Sequence, residues 1–444
     1  MTRALKILFM PVDAIGHVNS AIGIAQVLLD AGHQCIFAIN NQWKGRLIKY
    51  GFQEVLLTQP GRQENVDPAK YWSELFVNVG GIKATDPLET QINLAKNLYP
   101  VIIEQIKTMD PVIEKLLVHI APDVIVVDHA FEVPAVARSG IPWVWTCSFN
   151  PLMAGYDERV PPPGLGLPSI GLNGHQNEWN RCRQALNLAV RDHWSAYNKW
   201  VQSRGLPALH DYQFYHGSPY LNIYGYPLEL DYLDMRSMPP KWHRFDNLKR
   251  TEREGSFEIP VPLKNKAGKL VYFSMGSMGG ADVDNMNRLL AILGRTRHRY
   301  IVSMGPKHES IKLYENMWGA ATVPQIQVLP VVDLVVTHGG NNSITETMYF
   351  GKPMIVLPLF GDQYDNAQRV QERGYGLKLD AYNCDEYQLF NAIEGLLNDR
   401  EMNDRLQKIS KRIQQDNSIA MLPKLIQDIV NSKTVIDLNN NSED

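Results

Sequence analysis

Asp333–Ala367 reads DLVVTHGGNNSITETMYFGKPMIVLPLFGDQYDNA, and the rhythm of this stretch decides the fold. Leu334–Thr337 is a short apolar, β-branched run and reads as a buried strand. His338-Gly339-Gly340 turns the chain, and Asn342-Ser343 opens a helix that stops at Gly351-Lys352-Pro353. Met354–Pro358 is the next strand, and Asp362-Gln363 follows on a loop at the same sheet edge. Strand, glycine turn, helix and strand in this order make one βαβ unit, which implies a parallel sheet.

The same rhythm extends outward. Lys269–Ser274, Tyr300–Met304 and Ile326–Leu329 read as further strands, with Asn285–Gly294 as a helix. A second set starts the chain: strand Leu5–Pro11, helix Ser20–Ala31, strand Gln34–Ile39, then strands Pro122–Val127 and Pro142–Thr146 around the helix-like Phe131–Ser139. The expectation is an α/β protein of two Rossmann-like, doubly wound parallel-sheet domains facing a cleft. The 444 residues fit two domains better than one core. The charged, proline-bearing Phe245–Lys266 with Gly255 reads as the boundary. The division expected is 1–246, a linker 247–266, 267–415, and a helix from 416 that packs back on the first domain before a polar tail to 444. Asn150–Gly174 reads as a long loop and Gln176–Ser203 as a helix.

Bulk properties exclude several classes. With 44% hydrophobic residues, 20% charged residues and a net charge of −3, nothing favours nucleic acid or an anionic membrane as partner. Cys35, Cys147, Cys182 and Cys384 are widely spaced, neither a disulfide framework nor a zinc signature. ALKILFMPV lacks a cleavage site, and no apolar run reaches about eighteen residues, so a cytoplasmic, membrane-free protein is expected.

Ligands of such folds bind at the carboxyl ends of the strands. The helix start at Asn342-Ser343 offers free N–H groups to a diphosphate, and Glu346 can accept from ribose hydroxyls. Asp362 and Gln363 pair a strong acceptor with an amide, which suits sugar hydroxyls. After the first strand, Pro11–Gly16 lacks GxGxxG, which counts against a nicotinamide cofactor. Instead Gly16-His17 stands there, before a helix cap expected near Asn19 or Ser20. His17 has the pKa range of a general base, and Asp128, ending the strand in APDVIVVDHAF, can fix its tautomer. The bland reading of Asp128 is a cap for the next helix. His129 beside it is expected to point away. Ser277, in the turn of VYFSMGSMGGADVD, can reach a phosphate. Asp282-Val283-Asp284 spells DxD but reads as helix cap and first-turn charge rather than a metal site.

From Thr337 to Asn366 the residues resemble the C-terminal signature of family 1 UDP-dependent glycosyltransferases, and weaker likeness covers nearly the whole chain. The resemblance implies the GT-B fold, no metal or other cofactor, and a UDP-sugar as co-substrate. It places His338, Gly340, Asn342 and Ser343 on the phosphates with Ser277, and Glu346 on the ribose. Asp362 and Gln363 would hold the sugar, with glucose favoured by the glutamine. Val323 and Gln325 would lie at the base. His17, after Gly16, would deprotonate the acceptor with Asp128 behind it. Thr322 stands where many relatives carry a tryptophan that stacks on the uracil. The acceptor is expected to be small, hydroxylated and lipophilic, such as a phenol or flavonoid. Its candidate walls are Tyr71, Trp72, Phe76, Met153, Tyr156 and Trp179. The branch resembled is the soluble bacterial type that some arthropods such as mites carry, which suits detoxification. An epimerase on the same fold and a catalytically inactive UDP-sugar sensor are the alternatives.

Overall fold

The computed structural model describes residues 3–60, 62, 66–82, 86–155, 157–169, 175–252 and 256–432. Tyr156, Gly255 and the tail from 433 lie outside the described residues. The chain forms two parallel sheets. The first has β1 (Lys6–Pro11), β2 (Gln34–Asn40), β3 (Gln53–Leu57), β4 (Val124–Asp128), β5 (Trp143–Cys147), β6 (Leu221–Gly225) and β7 (Trp242–Phe245), in spatial order 3-2-1-4-5-6-7. The second has β8 (Leu270–Ser274), β9 (Arg299–Ser303), β10 (Met317–Ala320), β11 (Leu334–Thr337), β12 (Met354–Val356) and β13 (Gly376–Lys378), in order 10-9-8-11-12-13. Strands such as β4, β5 and β8 are buried at every residue, as parallel strands covered on both faces must be.

The strand order of each sheet reverses once, and these two switch points position the site. In the first sheet it lies between β1 and β4, where Pro11 is in register with Asp128. In the second it lies between β8 and β11, where Ser274 is in register with Thr337. Crevices at the carboxyl ends of these strand pairs therefore face the same cleft.

Three expectations need correction. Ile326–Leu329 is not a strand: Gln325–Val328 is a helical turn continued by a 3₁₀ turn, and the edge strand is Met317–Ala320. Four apolar residues carry too little periodicity to separate the two. The first helix runs Ile15–Asp30, so His17 lies in its first turn and neither Asn19 nor Ser20 caps it. The segment Phe131–Ser139 holds only a single turn of helix, Pro134–Ala137, with Val133 at its N-cap. The long helix Gln176–Ser203 forms as expected. Near the C-terminus, Leu422 and Ile426 of the helix Leu422–Asn431 are buried among Leu5, Ile7, Val18 and other residues of the first sheet's core.

The two halves are fastened by buried polar contacts. The guanidinium of Arg369, fully buried, donates to the carbonyl of Leu230 (2.9 Å), to Ser169 Oγ (2.8 Å), to Asp234 Oδ1 (2.8 Å) and to the Asp231 carbonyl. Arg412 holds both Glu229 and Asp246. Asp365 accepts from the backbone N–H of Gly164 (2.6 Å) and Gly166 (2.9 Å) in the proline-rich loop. Gly166 has a left-handed φ of 59°, and a Cβ there would stand 2.6 Å from the Tyr364 carbonyl, so only glycine fits.

Candidate active site

His17 projects from the first helical turn after β1, and Asp128 ends β4 beside it. Nδ1 of His17 lies 2.8 Å from Asp128 Oδ2 and 3.0 Å from Ser148 Oγ. With Nδ1–H donated to the carboxylate, the lone pair of the neutral ring lies on Nε2. The Phe149 ring meets the imidazole edge-on, centroids 4.7 Å apart. Burial opposes a charged imidazole, but the Asp128 carboxylate outweighs it, with help from Asp362 and Asp13, and His17's pKa is raised. Asp128 caps no helix, and its second oxygen is buried without a hydrogen-bond partner. This arrangement suits a base that must hold a proton transiently.

Across the cleft, His338 follows β11 and is squeezed between two glycines. A Cβ on Gly276 would stand 2.6 Å from its ring, and one on Gly340 would stand 2.6 Å from Nε2. Burial lowers the His338 pKa to about 4, so it meets a ligand as a neutral imidazole. Ser277, in the short helix Gly276–Gly279, and Ser343 border the same space. The carboxyl of Asp362 is held by the backbone N–H of Asn150 at 2.9 Å, and burial raises its pKa to about 6 despite the nearby His17. The Gln363 Oε1 accepts the Leu359 N–H at 3.0 Å, which leaves its amide N–H groups as the free end.

Glu346 is buried and already engaged. Its Oε1 lies 3.5 Å from Arg250 Nη1, while Oε2 accepts from Gln325 Nε2. Arg250 comes from the segment between the two sheets, and Glu252 pairs with it at 2.9 Å. Asn342 Nδ2 donates to the Gly16 carbonyl at 2.8 Å, and its Oδ1 accepts from Ser20 Oγ at 2.9 Å, so its side chain bridges the cleft. Val323 is buried, Thr322 is exposed, and both border the cavity with Gln325, Tyr272, Pro306 and His308. Asp282 caps the helix Val283–Leu293, accepting from the Asn285 N–H at 3.3 Å, with Asp284 in its first turn. Among the described residues no cluster of three or more His, Cys, Asp or Glu could hold a metal.

One cavity of about 1560 Å³ joins both walls and continues beneath His17 into the first sheet's half. Its inner part is lined by Phe131, Trp145, Phe149, Leu152, Met153, Phe214 and Tyr215, with Ile102, Ile106 and Ile113 from the helix Tyr99–Ile120. Trp72, Phe76 and Met153 border it, as expected of acceptor walls. Trp179 does not: it is fully buried on Gln176–Ser203 beneath Arg183. Tyr71 also turns away, stacked 3.8 Å under Arg62 and accepting from Gln105. His129 borders the cavity instead of pointing away, and burial lowers its pKa to about 4.

Sequence reasoning missed Ser148, Asn150 and Arg250. Asn150 also donates to Tyr226 Oη (3.1 Å) and to Asn366 Oδ1 (2.8 Å), and Asn366 in turn donates to the Gly339 carbonyl at 2.8 Å. Its position three residues after β5, in NPLMAG, is the signal that could have pointed to it, since that too is a strand's carboxyl end.

A fold of two facing parallel-sheet domains with the ligand turns at both switch points is GT-B. The solved glycosyltransferase of kitacinnamycin superposes with a TM-score of 0.68 at 18% identity, covering 97% of this chain and 100% of its own. The calicheamicin glycosyltransferase gives 0.66 at 16%, covering 96% and 98%. Residues 264–426 match the model of the family described as UDP-glucoronosyl and UDP-glucosyl transferase. A sterol 3-beta-glucosyltransferase of Vanderwaltozyma polyspora is 24% identical over 94% of this chain and 34% of its own length. The human 2-hydroxyacylsphingosine 1-beta-galactosyltransferase is 36% identical over 29% of this chain and 24% of its own. The chain spans about a third of the length of the sterol enzyme, and less than half of the other curated relatives it matches first.

Proposed function

We propose that this protein transfers a sugar, glucose first, from a UDP-sugar to the hydroxyl of a lipophilic acceptor, with inversion at the anomeric carbon. The observation that carries the proposal is the His17–Asp128 pair at 2.8 Å, standing in one cavity with Asp362, Gln363 and the His338 turn. Nε2 of His17 takes the acceptor proton as the oxygen attacks, and Asp128 stabilises the imidazolium. The anomeric C–O bond to the diphosphate breaks, and UDP leaves. Its growing charge is met by N–H groups at the start of Asn341–Tyr349, by the neutral His338 ring and by Ser277. Glu346, steadied by Arg250 and Gln325, takes the ribose hydroxyls. Asp362 and the amide of Gln363 take the sugar hydroxyls. A single displacement turns an α-linked donor into a β-glycoside.

The inner cavity supports an acceptor class larger than a simple phenol. The cavity of about 1560 Å³ takes in donor and acceptor sides together, and its inner part on the first sheet's side is walled by aliphatic and aromatic side chains. A rigid polycyclic or flavonoid-sized skeleton bearing one reactive hydroxyl fits that lining, and the sterol and sphingolipid enzymes among the relatives point the same way. Conjugation of lipophilic xenobiotics in the cytoplasm, by an enzyme of the bacterial-type branch, is the setting we favour. Among the described residues no helix is long and apolar enough to cross a membrane. In this reading the leaving diphosphate is met by the protein's own donors. The test is incubation with UDP-glucose and a panel of phenols, flavonoids and sterols, comparing wild type with His17→Ala. Product formation lost in the variant supports the reading; undiminished product, or none from wild type with any acceptor, refutes it.

A further inference from the structure

The side chain of Asn342 borders the cavity and also reaches across it. Its two carboxamide atoms are both used across the cleft, Nδ2 on the Gly16 carbonyl (2.8 Å) and Oδ1 on Ser20 Oγ (2.9 Å). Ser20 Oγ also lies 3.4 Å from the same Gly16 carbonyl, which closes a three-membered polar bridge. One end is the first turn of Asn341–Tyr349, where the diphosphate would sit. The other is the first turn of Ile15–Asp30, and the carbonyl it grips belongs to the residue immediately before His17. Gly16 itself is exposed, with no atom within 4 Å of where a Cβ would stand, so side-chain packing does not hold its carbonyl. Ser20 is almost fully buried on the same helix, which gives the bridge a rigid anchor.

We infer that Asn342 is a positioning residue that couples the donor turn to the base, through Gly16 and Ser20, so that His17 is correctly seated only when the two sheets are closed. The inference rests on the transferase reading for its kinetic consequence, while its geometric part does not. In-line transfer demands that base, acceptor oxygen and anomeric carbon be aligned at once, yet base and donor belong to different sheets. A misplacement of about 1 Å costs on the order of 100-fold in rate. The contacts of Asp365, Arg369 and Arg412 also join the halves but touch neither reacting turn. The Asn342 bridge joins those two turns directly. It also senses closure, since opening the cleft breaks it.

Three variants test this: Asn342→Ala, Ser20→Ala and the double variant, with Ser20→Thr as the conservative control. With UDP-glucose and a turned-over acceptor, each single substitution should lower kcat about 10- to 100-fold. UDP affinity by calorimetry should change less than about threefold, and hydrolysis of UDP-glucose per transfer should rise. The double variant should be no worse than the poorer single, because one bridge is broken in each case. Ser20→Thr, which keeps the hydroxyl, should retain most of the activity. Amide exchange needs no acceptor: Ser20→Ala should speed exchange in both turns, at residues 15–20 and 341–346. Loss of UDP affinity by tenfold or more in Asn342→Ala, with Ser20→Ala like wild type, would mean direct phosphate binding and overturn the inference. Faster exchange confined to 15–20 would overturn it too, even if no acceptor were found.

Discussion

His17 Nδ1 shares its two neighbours, Asp128 Oδ2 at 2.8 Å and Ser148 Oγ at 3.0 Å, on a single side of the ring. That leaves Nε2 as the one nitrogen free for chemistry. Removing the ring in His17→Ala should lower kcat by about 10²- to 10⁴-fold, the usual worth of a general base. Asp128→Asn should lower it as well, while Ser148→Ala costs less because the carboxylate still fixes the tautomer. The pH dependence has a definite sign. The base works unprotonated, and Asp128 raises its pKa, so kcat/KM should climb as pH rises through that elevated value. In Asp128→Asn the inflection should move to lower pH, although the residual rate is smaller. A pH–rate profile of both proteins checks this; an unmoved inflection would remove Asp128 from the assignment.

Gly276 and His338 are interlocked. Gly276 has a φ of 68°, and the Cβ of an alanine there would lie 2.6 Å from the imidazole ring. Gly276→Ala therefore carries both backbone strain and a clash, costing about 1–3 kcal/mol. The ring is the movable partner, so UDP binding should weaken more than stability falls. Calorimetric UDP titration beside a melting curve separates the two effects.

The donor half was legible because its chemistry is local: strand, glycine turn and helix N-terminus follow one another between Leu334 and Ser343. His17 and Asp128 were legible for the same reason, each standing at the end of a run that reads as a strand. The contacts that join the two halves depend on partners far apart in sequence, 201 residues for Asp365 and Gly164 and 138 for Arg369 and Asp231. No local pattern reports such a pair. Trp179 misled because an aromatic next to a proline-rich loop is equally compatible with core and pocket, and its helix happens to turn that face inward. Glu346 stands out in the sequence as an acid one turn into the helix, but nothing nearby in sequence announces Arg250, which arrives from the segment between the sheets.

Asp365 gives the interface a pH dependence of its own. Burial raises its pKa to about 7, although it accepts from Gly164 and Gly166. The folded protein therefore binds a proton at this site more tightly than the unfolded chain, whose carboxyl titrates near 4. The associated stability is fully present below about pH 4 and is lost as pH rises through about 7. A series of melting temperatures from pH 5 to 8 should show this contribution fading, and Asp365→Asn should flatten it. An unchanged slope in the variant would assign the trend to other groups.

Met153 and Trp179 offer a paired test of the acceptor wall. Met153 borders the cavity and Trp179 is sealed in the core. Met153→Trp should exclude bulky acceptors, raising KM for polycyclic alcohols while leaving small phenols and the UDP affinity nearly unchanged. Trp179→Phe should lower the melting temperature and leave the acceptor ranking as it was. The reverse pattern would place the acceptor on the other side of the helix Gln176–Ser203.

Arg369 tests whether the two halves behave as one folding unit. Its guanidinium is fully buried, stacked 4.5 Å over Tyr232, and spends its donors on Leu230, Ser169, Asp231 and Asp234 of the first half. Arg369→Met keeps the stem but strands the Leu230 and Asp231 carbonyls without partners. Each orphaned buried acceptor costs about 1–3 kcal/mol, so a loss of roughly 3 kcal/mol or more is expected. Lysine should rescue little, because one ammonium cannot match a planar fork that reaches four acceptors at once. If the halves unfold as one unit, denaturant unfolding of Arg369→Met should stay a single transition at lower midpoint, whereas a split into two would show the halves unfolding separately. A variant with the wild-type midpoint would show that this cluster does not hold the cleft together, and the closure on which the catalytic alignment depends would have to come from Asp365, Arg412, Asn150 and the Asn342 bridge.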